Sequence, residues 1–174
     1  MIIRFMMLKV KDTKIMPSQS CEICNQIELI KANQHPRLIA ELETGYAMLG
    51  PSQFFKGYTI FLCKVDCPEI HLLEKGFRIQ MMEELAALSG AVFNAVKPQK
   101  LNYECLGNQV PHIHWHIFPR HFDDPHPLIP VWQFDPDYLD PQKYAPTSAE
   151  SAALKEQILT ELRKTSVKIL KMGR

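Results

Sequence analysis

The 174-residue chain has no apolar run near the roughly 18 residues that a membrane span requires. It also has almost no net charge: 20 Lys+Arg stand against 19 Asp+Glu, leaving +1. Without a basic excess there is no electrostatic reason to expect a nucleic-acid duplex or an anionic membrane as the main partner. Phosphate, if the protein handles it, must be met at a local site. The opening run Met1-Ile2-Ile3-Arg4-Phe5 is interrupted by Arg4 and Lys9 and leads to no small-residue cleavage site, so it does not read as a signal peptide. Met16 is an alternative start, just before the first organised segment. Five cysteines are an odd number without secretory context, which argues against a disulfide framework and for the cytoplasm.

No repeat or low-complexity tract is present. What remains is a chain long enough for one sizeable core, 46% apolar and 22% charged. Residues 37–43 and 45–49 read as strands around the turn signal Thr44-Gly45, and 57–63 as a third strand rich in aromatic and β-branched residues. From 76 to 96 the period changes. Met81, Leu85, Leu88, Val92 and Val96 mark one face of a long helix that Pro98 ends. Residues 101–106 and 112–118 supply two more strands. Eight of the 13 prolines then fall between Pro111 and Pro146, which predicts an extended, turn-rich tail. A last helix begins near Thr147, where Glu150 completes capping-box spacing, and runs through Leu154, Ile158 and Leu162. This order predicts an α+β fold with an antiparallel sheet of five strands. The expected organisation is an N-terminal extension over 1–19, a main domain over 20–135, and a C-terminal extension over 136–174 whose helix packs on the same domain.

The sharpest chemical signal is His112-Ile113-His114-Trp115-His116-Ile117-Phe118. Strand alternation points the three imidazoles one way and Ile113, Trp115 and Ile117 the other. A bland strand would carry Thr, Lys or Glu in that row. Two chemistries want it: metal ligation, or nucleophilic catalysis in which one imidazole attacks phosphorus and a neighbour assists the leaving group. Upstream stand the carboxamides Asn102, Asn108 and Gln109 with Gly107, all suited to donating to phosphate oxygens. No Glu or Asp lies within five residues of the row. Catalysis is therefore the favoured reading.

The run GNQVPHIHWHIFPR resembles the signature of the histidine triad (HIT) superfamily, and the likeness extends over about residues 20–135. It implies an α+β fold with a five-stranded antiparallel sheet, a homodimer, and action on nucleotides with a phosphoanhydride or phosphoramidate bond. It implies His114 as the nucleophile of a nucleotidyl-imidazole intermediate, with His116 beside the bridging atom and His112 orienting His114 through a hydrogen bond. Asn102, Asn108 and Gln109 would bind substrate phosphates, and no cofactor is required for the chemistry. Three departures stand out. Tyr58 occupies the place of a further histidine that many members carry, Gly50 that of a ribose-binding Asp or Asn, and Gln109 that of a hydroxyl residue. The CxxC pair Cys21 and Cys24 is a weak signal alone and fits two reduced thiols or a redox pair as well. In some members such a pair joins two histidines around structural zinc. Here His112 matches one of these, and Asp66, followed by Cys67, stands where the other would be.

The expected function is thus a nucleotidyl hydrolase of a nucleoside phosphoramidate or dinucleoside polyphosphate. A nucleotidyltransferase or phosphorylase would use the same intermediate with another acceptor. A non-catalytic nucleotide- or metal-binding module would keep the fold alone. Of the remaining histidines, His35 precedes Pro36 and reads as a turn residue. His121 and His126 lie in the tail with Trp132, where they fit a segment folded over the site or a plain surface loop.

Overall fold

The computed structural model describes residues 21–173. The N-terminal extension 1–19 and the alternative start at Met16 lie outside them. Helix α1 (Glu22–Lys31) opens the described chain, with Cys21 as its N-cap and Ile23, Ile27 and Ile30 buried at i, i+4 and i+7. Strands β1 (Leu38–Glu41), β2 (Gly45–Leu49) and β3 (Thr59–Cys63) follow. Helix α2 (Lys75–Val96) crosses the sheet and leads to β4 (Lys100–Glu104) and β5 (His114–Arg120). After the turn-rich tail come the one-turn helix α3 (Pro141–Tyr144), helix α4 (Ser148–Leu162) and the short strand β6 (Lys171–Met172).

All pairings are antiparallel, in the order β4-β5-β3-β2-β1-β6. The sheet thus has six strands where five were expected. The added β6 is two residues long and exists by docking onto Ala40 and Glu41 at the sheet edge, a tertiary event that no local pattern announces. The strand expected over 112–118 is shifted to 114–120, so His112 precedes it.

The sheet carries a core on each face. On one side α2 and α4 bury Met81, Leu85, Leu88, Leu154 and Ile158 against Phe61, Ile113 and Ile117. On the other side α1, the 51–57 loop and the tail bury Ile23, Ile27, Phe55, Val131 and Phe134 against Ile60, Leu62 and Phe118. The central strand β3 is buried at every position, as its unbroken apolar run requires. The capping box at Thr147 is present in both directions.

One buried charge ties the first core together. Glu84 on α2 is fully buried and accepts hydrogen bonds from the backbone N–H groups of Glu43 and Thr44, the Thr44 hydroxyl and Gln80. The helix thereby satisfies the orphan donors of the β1–β2 turn.

Candidate active site and metal-binding cluster

His114 and His116 stand on the same face of β5, two residues apart, with ring centroids at 4.9 Å and planes nearly perpendicular. The third side chain of that face is Phe118, not a histidine, and it stacks parallel to His116. The face is not open to solvent as a whole: it is the margin of the second core, and His116 is largely covered.

His114 Nδ1 lies 2.6 Å from the backbone carbonyl oxygen of His112. A carbonyl only accepts, so Nδ1 carries the proton and Nε2 presents its lone pair. The expected orienting contact from His112 is therefore made by its main chain rather than its ring. His116 Nδ1 lies 2.6 Å from the Tyr58 hydroxyl. Tyr58 is buried, and burial pushes its phenol above the ordinary range, so it keeps its proton. Among the described residues that hydroxyl has no other hydrogen-bond acceptor, which makes it the donor and leaves His116 with Nε2–H. Burial first, and then the neighbouring His114, push His116 down to about 4. At neutral pH it is an uncharged imidazole with one proton in a fixed place.

Tyr58 and Gly50 are one replacement rather than two. A Cβ at position 50 would lie 2.1 Å from Tyr58 Cδ1 and 2.3 Å from Cε1. The larger ring occupies the space that a side chain at position 50 would need, and Gln53 clamps the intervening loop by donating to the carbonyls of Gly50 and Tyr58.

Of the carboxamides, Asn102 is directly opposite Phe118, and its Oδ1 accepts from Arg120 Nη1 at 3.0 Å. Only its NH₂ remains to donate elsewhere. Asn108 and Gln109 are exposed in the loop before His112, where Gly107 takes a positive φ of 73° that lets the chain turn. Two residues that a reading along the sequence missed are set here by sheet register. Glu104 pairs directly with His116 across β4–β5, although it lies twelve positions upstream. Arg120, 3% exposed, holds the tail by binding Asp124 and the carbonyls of His126 and Ile129, with Phe55 and Phe134 against its guanidinium. Trp132 points outward, 69% exposed.

The His112 ring, 1% exposed, faces another group altogether. Its Nε2 lies 2.8 Å from the Cys63 carbonyl, so Nε2 is protonated and Nδ1 is the free lone pair. Nδ1 lies 3.5 Å from Cys21 Sγ, 3.6 Å from Cys24 Sγ and 3.4 Å from Asp66 Oδ1. The four ligand atoms lie within 4.8 Å of one another. Zinc–ligand bonds of about 2.0–2.3 Å imply tetrahedron edges of roughly 3.3–3.8 Å, a range that holds the three distances from His112 Nδ1. Without a cation, burial and the neighbouring Cys21 and Asp66 push the Cys24 thiol up to about 12. A bound cation reverses that trend. Asp66, not Cys67, completes the set; the Cys67 thiol donates to the Glu69 carbonyl.

No curated protein matches the chain. Solved structures do. A histidine triad protein from Marinobacter aquaeolei VT8 superposes with a TM-score of 0.61 at 24% identity, covering 73% of this chain and 88% of its own. One from Bradyrhizobium japonicum gives 0.57 at 26% identity, with 73% and 87% covered. A Zn-bound histidine triad family protein from Mycobacterium smegmatis gives 0.57 at 20% identity, with 83% and 96% covered. The family model described as the HIT domain matches residues 31–123, more than half of the sequence whose paired strand histidines, flanking loop and sheet have just been described, and the chain belongs to that family.

Proposed function

We propose that the protein is a nucleotidyl hydrolase acting on a nucleoside phosphoramidate or dinucleoside polyphosphate through a covalent intermediate on His114. The observation that carries this reading is the hydrogen bond from His114 Nδ1 to the His112 carbonyl, which holds Nε2 as a free nucleophile beside a second, neutral imidazole. In the first step Nε2 attacks the α-phosphorus. The N–P bond forms, the bond to the bridging oxygen or nitrogen breaks, and the leaving group takes the electron pair. His116 Nε2–H donates a hydrogen bond to the bridging atom as negative charge develops there. Asn108, Gln109 and the Asn102 NH₂ serve as donors to the phosphate oxygens. Water then attacks phosphorus, breaks the N–P bond and releases a nucleoside monophosphate. A panel of an adenosine phosphoramidate, a dinucleoside polyphosphate and a nucleoside phosphosulfate tests it. Monophosphate is expected from the natural sequence and none from His114→Ala; equal turnover by both contradicts the reading.

The Cys21, Cys24, Asp66 and His112 group fits structural zinc, supported by its donor spacing and by the Zn-bound neighbour. Zinc there would pin α1 to the segment before β5, holding the main chain of His112 in place while taking no part in the reaction steps. The protein is further read as a cytoplasmic homodimer. Strand β4 lies at the sheet edge with unpaired main-chain groups, and Ile79, Met82 and Phe93 of α2 and Tyr103 of β4 are exposed nearby in sequence order. Native mass spectrometry reads both: two chains with one zinc each are expected, and a metal-free monomer contradicts both.

A further inference from the structure

We propose that Glu104 selects substrates whose leaving group carries an ammonium, and disfavours leaving groups that are themselves phosphates. This rests on the reading of His114 and His116 as the reacting pair and adds the class of leaving group to it.

The β4–β5 register sets Glu104 directly across from His116, so the two side chains share one face of the sheet. Its Oε1 is sealed from water and meets no donor among the described residues. Burial raises its carboxyl above the ordinary range, and its charge helps to raise the Tyr58 phenol. The Arg120 guanidinium, the strong donor of this face, is committed to Asp124, Asn102 and the tail carbonyls. A buried acceptor without a partner is costly and uncommon. A ligand that brings its own donor removes the cost.

The site also has a polarity along β5. His114 adjoins the 107–111 loop with its amide donors, whereas His116 lies two residues further on, about 6–7 Å away along the strand, with Glu104 at its side. Phosphorus over His114 and the departing atom at His116 put the leaving group against Glu104. A polyphosphate there sets several negative charges beside a carboxylate in a poorly hydrated place. An amine leaving group departs with the electron pair of the P–N bond, takes one proton from water to become the free amine and a second to become the ammonium that the carboxylate lacks. A divalent cation is a poor substitute: the neighbouring Asn102 oxygen is engaged, and among the described residues the only cluster with three or more candidate ligands is the one at His112.

The test is binding, so that it does not depend on turnover. Adenosine and guanosine 5′-phosphates esterified with aminoethanol (ammonium), with propanol (neutral) or with phosphate (anionic) are titrated into His114→Ala and into His114→Ala with Glu104→Gln, without added divalent metal. In the first protein the ammonium ester is expected to bind at least about tenfold tighter than the neutral one, and the nucleoside diphosphate weakest. Glu104→Gln is expected to remove the difference, and Glu104→Lys to reverse the order in favour of the diphosphate. Glu104→Gln is also expected to melt no lower than its parent, since it deletes an unpartnered charge. The same order with and without Glu104, or a preference that appears only with magnesium, overturns the proposal and leaves the nucleotide reading intact. No binding of any member overturns both.

Discussion

His112 serves two neighbours at once: its ring faces the Cys21, Cys24 and Asp66 cluster, and its carbonyl fixes the tautomer of His114. Strand alternation places three imidazoles in one row on one face. The structure separates them, because the strand begins only at His114 and the segment before it is drawn toward the N-terminus of α1. Tyr58 shows a similar economy. It stacks on Phe118 with centroids at 4.2 Å, and its hydroxyl sets the proton position on His116. Tyr58→Phe keeps the stack and removes the donor, so His116 is free to populate the other tautomer. The expected result is a loss in kcat of about tenfold to a hundredfold with KM changed by less than about twofold and an unchanged melting temperature. An unaltered kcat in steady-state assays would show that the hydroxyl does not govern His116.

At the level of elements, periodicity carried the reading well where the pattern was long. The stripe from Met81 to Val92 is the buried face of α2, and the capping box at Thr147 does start α4. Helix α1 is legible in the i, i+4, i+7 spacing of Ile23, Ile27 and Ile30, although no element is assigned there from the sequence alone. The failures that matter for chemistry have another origin. No Asp or Glu lies within five residues of the histidine row in sequence, yet strand pairing brings Glu104 across from His116. Asp66, by contrast, stands beside His112 where the family resemblance placed it. Register and loop closure, not sequence distance, decide such neighbours. Glu84 is the same lesson for stability: it occupies a core position of α2 because the distant β1–β2 turn needs acceptors. Glu84→Leu leaves two N–H groups and a hydroxyl unpaired in the core, and a destabilisation of about 3 kcal/mol is expected in urea unfolding. A loss under about 1 kcal/mol would mean that water reaches the turn.

As a whole molecule, the described chain is a sheet with two cores; His114 and His116 stand at the margin of the second, and Arg120 fastens the tail that helps to build it. That placement links stability to pH. His35 is buried between α1 and β1, where its Nε2 meets Gln26 Oε1 and its Nδ1 accepts from the Arg37 N–H. Burial, with Arg37 and Lys155 nearby, pushes it down to about 4, as burial does for His116. Unfolded, both protonate near 6.5. Between these limits the unfolded chain binds more protons, so stability is full above pH 6.5 and falls as the pH drops toward 4. Each group contributes up to about 1.4 kcal/mol per pH unit. Urea unfolding of the natural sequence and of His35→Gln is expected to show a shallower acid slope in the variant by about one such contribution; parallel slopes would place His35 in contact with water.

The central claim is a covalent bond between His114 and a nucleotide. Its most direct measurement is the mass of the protein quenched within milliseconds of mixing with an adenosine phosphoramidate, followed by fragmentation of the peptide that contains His112, His114 and His116. The account predicts a chain heavier by one adenylyl group, with the added mass on His114, and no such species from His114→Ala. Turnover without any adduct under these conditions, or an adduct on another residue, would contradict it.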